Sequence, residues 1–165
     1  MEVAARQPSL ADLAVVLAPL AHLKQIRLLR SSIESNLHEV PTTCPIHHTF
    51  DATATADQEK ETLAVHVFVA MSADDLVNIK AEFILEYAIP KSPVGLVSGE
   101  IATAFGKMTG VYNAWPYWRE YVQSTVGRLS LPPLTLPLIT HASMLAYYAK
   151  KEKKTAPSES PNTGE

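Results

Sequence analysis

Cysteine is nearly missing from this 165-residue sequence, and so are a surplus of positive charge, long apolar runs and glycine-rich loops. The single cysteine, Cys44, excludes an internal disulfide framework and fits a reducing compartment. The 14 basic residues stand against 17 acidic ones, a formal charge of −3, so no basic field exists to hold a nucleic acid. The longest uncharged apolar run near the start, Leu13 to Ala21, is nine residues long and contains Pro19. A membrane helix needs roughly 20, so no membrane insertion is expected. Glu2 beside Arg6, and Asp12 bordering the run, speak against a secretory signal, and a cytoplasmic location is expected.

Phosphate-binding loops are missing as well. Gly106-Lys107 is followed by Met108 rather than Ser or Thr, Ile101 stands where the leading glycine belongs, and no Gly-x-Gly-x-x-Gly occurs. Cys44, His47 and His48 are the sharpest candidates for a metal site. Adjacent histidines on a strand point to opposite faces, however, so the expectation is two exposed strand histidines and no metal. His66 reads as a solvent-facing or satisfied histidine. Glu82 and Glu86 alternate with apolar residues and are expected to face water. Nothing marks a nucleophile elbow. No catalytic residue or cofactor is expected, and the chain does not read as an enzyme.

What is present is ample apolar material, 47% of residues against 19% charged, enough for one core but not two. Ser9-Leu-Ala-Asp12 reads as a helix start, with Leu10, Leu13, Leu17 and Leu20 on one face. Lys24 to Ser35 suits a strand, with an irregularity at Leu28-Leu29, and 40–45 is a proline-interrupted connection. Ile46 to Ala56 resumes strand character, and 57–61 is a hairpin tip. Leu63, Val65, Val67, Val69 and Met71 alternate with His66 and Phe68 on the other face. Ile79 to Ile89 follows as a strand with one wet face. A helix is expected over Ser98 to Thr109, ended by Gly110. A second begins with Asn113 as cap and Pro116 in its first turn, and buries Trp115, Trp118, Val122, Thr125 and Leu129. A last helix runs from about Thr140. The expected division is an N-terminal helical extension over 1–21, a main domain over 22–154 and a disordered tail over 155–165. The fold class is α+β: a four-stranded antiparallel sheet followed by helices.

The segment that carries most information runs from Leu129 to Ile139. Leu131, Leu134, Leu136 and Leu138 are interrupted there by Pro132, Pro133 and Pro137, which allow neither a central strand nor a helix. Each leucine left in water forgoes about 1.5–3 kcal/mol. The segment therefore lies over an apolar surface, either as a plain connector or as a mobile wall of a groove that accepts other chains.

Asn113-Ala-Trp-Pro-Tyr-Trp-Arg-Glu-Tyr121, followed by Val126-Gly-Arg-Leu-Ser-Leu-Pro-Pro-Leu-Thr-Leu-Pro-Leu138, resembles the SecB chaperone family. That family pairs an aromatic-Pro-Tyr-x-Arg-Glu run and a long helix with a Pro/Leu crossover to a C-terminal helix. Gln25-Ile-Arg-Leu-Leu-Arg30 is more similar to SecB-like chaperones of toxin–antitoxin systems than to export SecB. The resemblance implies an ATP-independent holdase that binds unfolded client polypeptides in apolar surface grooves. It also implies a homotetramer, a dimer of dimers. By position, Leu131, Leu134, Leu136, Leu138, Leu145 and Tyr148 would line the groove, with Ile46 and Phe50 from the second strand. An antitoxin is the favoured partner. The alternatives are an export chaperone delivering preproteins to SecA, or an oligomeric adaptor without chaperone activity. Ser31 and Ser32 stand where export SecB offers acidic positions to SecA, and the chain ends its last helix in the basic Lys150-Lys-Glu-Lys-Lys154. Both departures speak against SecA.

Overall fold

A computed structural model describes residues 8–36, 44–74, 76–91 and 97–155. The connection expected over 40–45 lies mostly outside these residues, as does the tail after Thr155. Helix α1, Leu10–Leu17, opens on a reciprocal cap: the Ser9 N–H donates to Asp12 at 2.9 Å and the Asp12 N–H donates to the Ser9 hydroxyl at 3.3 Å. Ala14 and Leu17 are buried, and Leu10, Leu13 and Leu20 pack against the core beside them.

Four strands follow: β1 (His22–Ser35), β2 (Ile46–Asp57), β3 (Thr62–Ala73) and β4 (Val77–Ala88). The sheet order is β1-β4-β3-β2 with every neighbouring pair antiparallel, so β2, β3 and β4 form a meander and β1 lies beyond β4. Period-two alternation decides the faces. Leu63, Val65, Val67, Val69 and Met71 of β3, with Val77, Ile79, Ala81, Phe83, Leu85 and Tyr87 of β4, are buried against the helices. β1 shifts register between Leu28 and Arg30, where the two leucines break the alternation, and again between Leu23 and Gln25.

One expectation about the sheet's other face is overturned. Glu82 is buried rather than wet: it accepts from His66 Nδ1 at 2.7 Å and pairs with Arg30, which reaches it from β1. The His66 hydrogen bond, then Arg30, hold its carboxyl below the ordinary range despite burial. Glu86 pairs with Arg27 and accepts from Gln25 at 2.6 Å, so β1 is tied to β4 by side chains as well as by the ladder.

The helical arm also differs from expectation. Gly110 does not end a helix, and Asn113 does not cap one. α2 (Gly99–Phe105), a π-helical turn (Gly106–Gly110) and α3 (Val111–Arg128) follow one another without interruption. The glycines are there for contact with the sheet: a Cβ on Gly110 would lie 2.6 Å from Val65 Cγ1, and one on Gly106 would lie 3.2 Å from Ala54 Cβ. Asn113 instead donates its amide to the Tyr87 hydroxyl at 3.0 Å, and Pro116 sits inside α3. Trp115, Trp118, Val122 and Thr125 are buried as their spacing requires.

α3 ends with Ser130 in the left-handed region (φ 56°), the Leu131 N–H donating to Val126 O at 3.2 Å and the Ser130 N–H to Gly127 O at 3.2 Å. This pairing closes the helix and throws the chain into the crossover. The crossover is extended from 131 to 140, after which Thr140 and Ser143 cap α4, His141–Thr155.

Candidate functional site

The crossover is pinned from below by two residues of α3 spaced one turn apart. Trp115 Nε1 donates to Pro137 O at 2.9 Å, and Arg119 Nε donates to Leu136 O at 2.8 Å. Three prolines keep the segment out of a helix or ladder, so these side chains fix its path by its carbonyls. The path sorts the leucines. Leu136 turns down and is 1% exposed, Leu138 stands out at 76%, and Leu131 and Leu134 remain half-buried.

Leu131 and Leu134 face a cleft of about 160 Å³ shared with Ile46, Leu76, Val126 and Pro133. Val126 and Leu131 are the two side chains that the helix-ending turn brings together, so the turn itself builds one wall. Of the eight residues expected to line a groove, this cleft gathers Ile46, Leu131 and Leu134. Phe50 and Tyr148 are buried elsewhere, with ring centroids 5.7 Å apart, and Leu145 is half-buried on α4.

Phe50 centres a second cluster along the free side of β2. Tyr147 stacks on it at 4.0 Å and Trp115 meets it edge-on at 5.8 Å. The Phe50 N–H donates to the Tyr147 hydroxyl at 3.3 Å, and Lys151 pairs with Asp51. α4 thus closes over the β2 edge through side chains. Burial drives the Tyr148 hydroxyl well above its ordinary pKa of 10, so it stays a neutral phenol with Lys107 Nζ 5.4 Å from its ring centroid. His48, packed 5.6 Å from Trp115, has its pKa lowered from 6.5 by burial and secondarily by His47. Cys44 lies 3.4 Å from an Asp74 carboxylate oxygen. Among the described residues no three His, Cys, Asp or Glu side chains gather as metal ligands would.

Sequence reasoning missed Trp115 and Arg119 as the crossover's anchors. Their i, i+4 spacing in α3 was the available signal. Among the described residues, no helix is long and apolar enough to cross a membrane.

No protein-family model matches the chain. Over 41 residues, 25% of its length, it is 49% identical to the SecB-like chaperone Rv1957 of Mycobacterium tuberculosis strain H37Rv. It matches the SecB-like chaperone MT2006 of strain CDC 1551 equally well. The match spans 23% of the length of each of these relatives. A solved structure of M. tuberculosis Rv1957, in complex with a ChAD peptide from the Rv1956 HigA1 antitoxin, superposes with a TM-score of 0.69. It is 28% identical, over 79% of this chain and 96% of that one.

Proposed function

The chain being SecB-like in fold and in its matched stretch, we propose that it is an ATP-independent holdase that keeps an antitoxin from aggregation or degradation in the cytoplasm. The observation that carries this reading is the cleft under the crossover, where Leu131, Leu134 and Ile46 remain partly open to solvent. Such a site holds apolar side chains without covalent chemistry, and release of a weakly held client needs no nucleotide. Solved with a HigA1 antitoxin peptide, Rv1957 supplies the client class by likeness. The working form is a homotetramer, a dimer of dimers, and the exposed apolar residues of β1 support assembly through that strand.

The test is suppression of a denatured client's aggregation at stoichiometric amounts without nucleotide. Leu131→Asp combined with Leu134→Asp should raise the amount of protein needed for protection by about tenfold or more, two leucine anchors being lost. The oligomer should stay intact. Undiminished protection by that double variant would move the client site away from the crossover.

A further inference from the structure

The face of the sheet turned away from α2 and α3 carries a second depression, and it shares no residue with the crossover cleft. Its volume is about 420 Å³, within the range that takes a ligand of several residues' side chains. Phe68 and Ala70 of β3 form its floor and Tyr147 of α4 one wall. Phe68 is 37% exposed, a large aromatic ring left open on this face. The rim holds three cations, Arg30, Lys80 and Lys151.

Charge on this rim is unevenly matched. Lys151 is paired with Asp51, and Arg30 engages Glu82 through its Nε. The Arg30 side chain is nonetheless 75% exposed, so its guanidinium remains accessible to a further carboxylate. Lys80 lies beyond Arg30 with no carboxylate in ion-pair contact among the described residues. Glu82 adds little repulsion, because its side chain is 6% exposed beneath Arg30 and His66. An apolar floor beside an unbalanced cationic rim complements a particular chemistry: a bulky apolar group with a carboxylate next to it.

We infer that this groove docks an extended acidic segment of a partner protein. The segment's aromatic or large aliphatic side chain lies on Phe68 against Tyr147, and a nearby Asp or Glu carboxylate is held by Lys80 and Arg30. The surface is independent of the holdase reading. It would let a dedicated partner be recognised by charge and one anchor while the crossover cleft holds sequence-tolerant apolar segments.

The probe is a fluorescein-labelled peptide, acetyl-Ser-Asp-Phe-Leu-Glu-Ser-amide, titrated by anisotropy against the full chain. Its counterpart carries Lys at both acidic positions. The acidic peptide should saturate, bind about tenfold or more tightly than the basic one, and weaken as salt is raised. Lys80→Glu and Phe68→Ser should each weaken it about tenfold, with circular dichroism unchanged since both side chains are exposed. Arg30 is left in place, because removing it would strip Glu82 of a partner. Leu131→Asp with Leu134→Asp should leave the titration unaltered, which separates this site from the client cleft. Equal binding of both peptides, no saturation, or loss only with the leucine variants overturns the proposal. So does dissociation of the oligomer by Lys80→Glu with no peptide bound, which would make the groove a contact between copies.

Discussion

The two edges of the sheet are treated in opposite ways. β2 is covered: Tyr147 takes its Phe50 N–H, Phe50 is sandwiched by Tyr147 and Trp115, and Lys151 reaches over to Asp51. β1 is bare, with every residue exposed except the half-buried Ile26. Leu28 stands opposite the buried Phe83 and Ile33 opposite Ile79, so both lie on the core face of the sheet. α3 reaches that face of β1 between them, the Tyr121 hydroxyl donating to Ser31 Oγ at 2.8 Å, and leaves both side chains exposed. A 14-residue edge strand with Leu23, Leu28, Leu29 and Ile33 exposed is a hazard for a chain that works alone. The contrast teaches that the fold finishes one edge with its own last helix and leaves the other open, the edge on which the proposed assembly would rest.

The largest expected effect comes from attacking the bare edge. Leu28→Asp with Ile33→Asp should break the tetramer into smaller species while leaving far-ultraviolet dichroism in place, as read by light scattering on a sizing column. The single chain already exposes both side chains, so its own stability should change by no more than about 0.5 kcal/mol per site. A tetramer that persists would place the assembly surface elsewhere.

Next in size is the covered edge. Tyr148→Ala removes a buried aromatic between α4 and β2, a truncation of the kind that costs about 3–5 kcal/mol. Urea unfolding should report that loss, and amide exchange should rise in α4 and β2 first. Tyr117→Ala, on the exposed side of α3, serves as the control, with a change within about 0.5 kcal/mol. Equal acceleration in β1 and β2 would mean that the two edges open as one unit.

Much of this contrast could be read from the sequence, and the parts that could not share a cause. Alternation in Leu63–Met71 and the break at Leu28-Leu29 are local signals, and the strands follow them. Glu82 misleads because alternation names a face without saying what covers it, and its cover, Arg30, comes from 52 residues earlier. Gly110 misleads because the same residue serves a helix end and a close approach to a sheet; Val65, which decides between them, is remote in sequence. Within the crossover, the prolines announce an extended segment resting on apolar surface. Which leucine turns inward is set by Trp115 and Arg119 gripping neighbouring carbonyls, a choice made only in three dimensions. The eight expected site residues accordingly divide between cleft, core and open surface.

The smallest effect, and the sharpest on the comparison, is that the two edges should loosen at different acidities. His48 beside the covered edge has its pKa lowered from 6.5, chiefly by burial. The unfolded chain therefore binds the proton first as pH falls, and the stability that neutral His48 contributes above 6.5 is lost below it. Glu82 at the β1 side is lowered from 4.5, chiefly by its hydrogen bond with His66. Its contribution is present above 4.5 and lost only as pH falls further. Between pH 6.5 and 5 the β2 side should weaken while the Arg30–Glu82–His66 link of β1 to β4 holds. Urea midpoints measured across that interval should decline in the native protein and stay level in His48→Phe, which keeps a ring against Trp115. A decline that survives in His48→Phe would assign the acid sensitivity to another group and remove the electrostatic distinction between the edges.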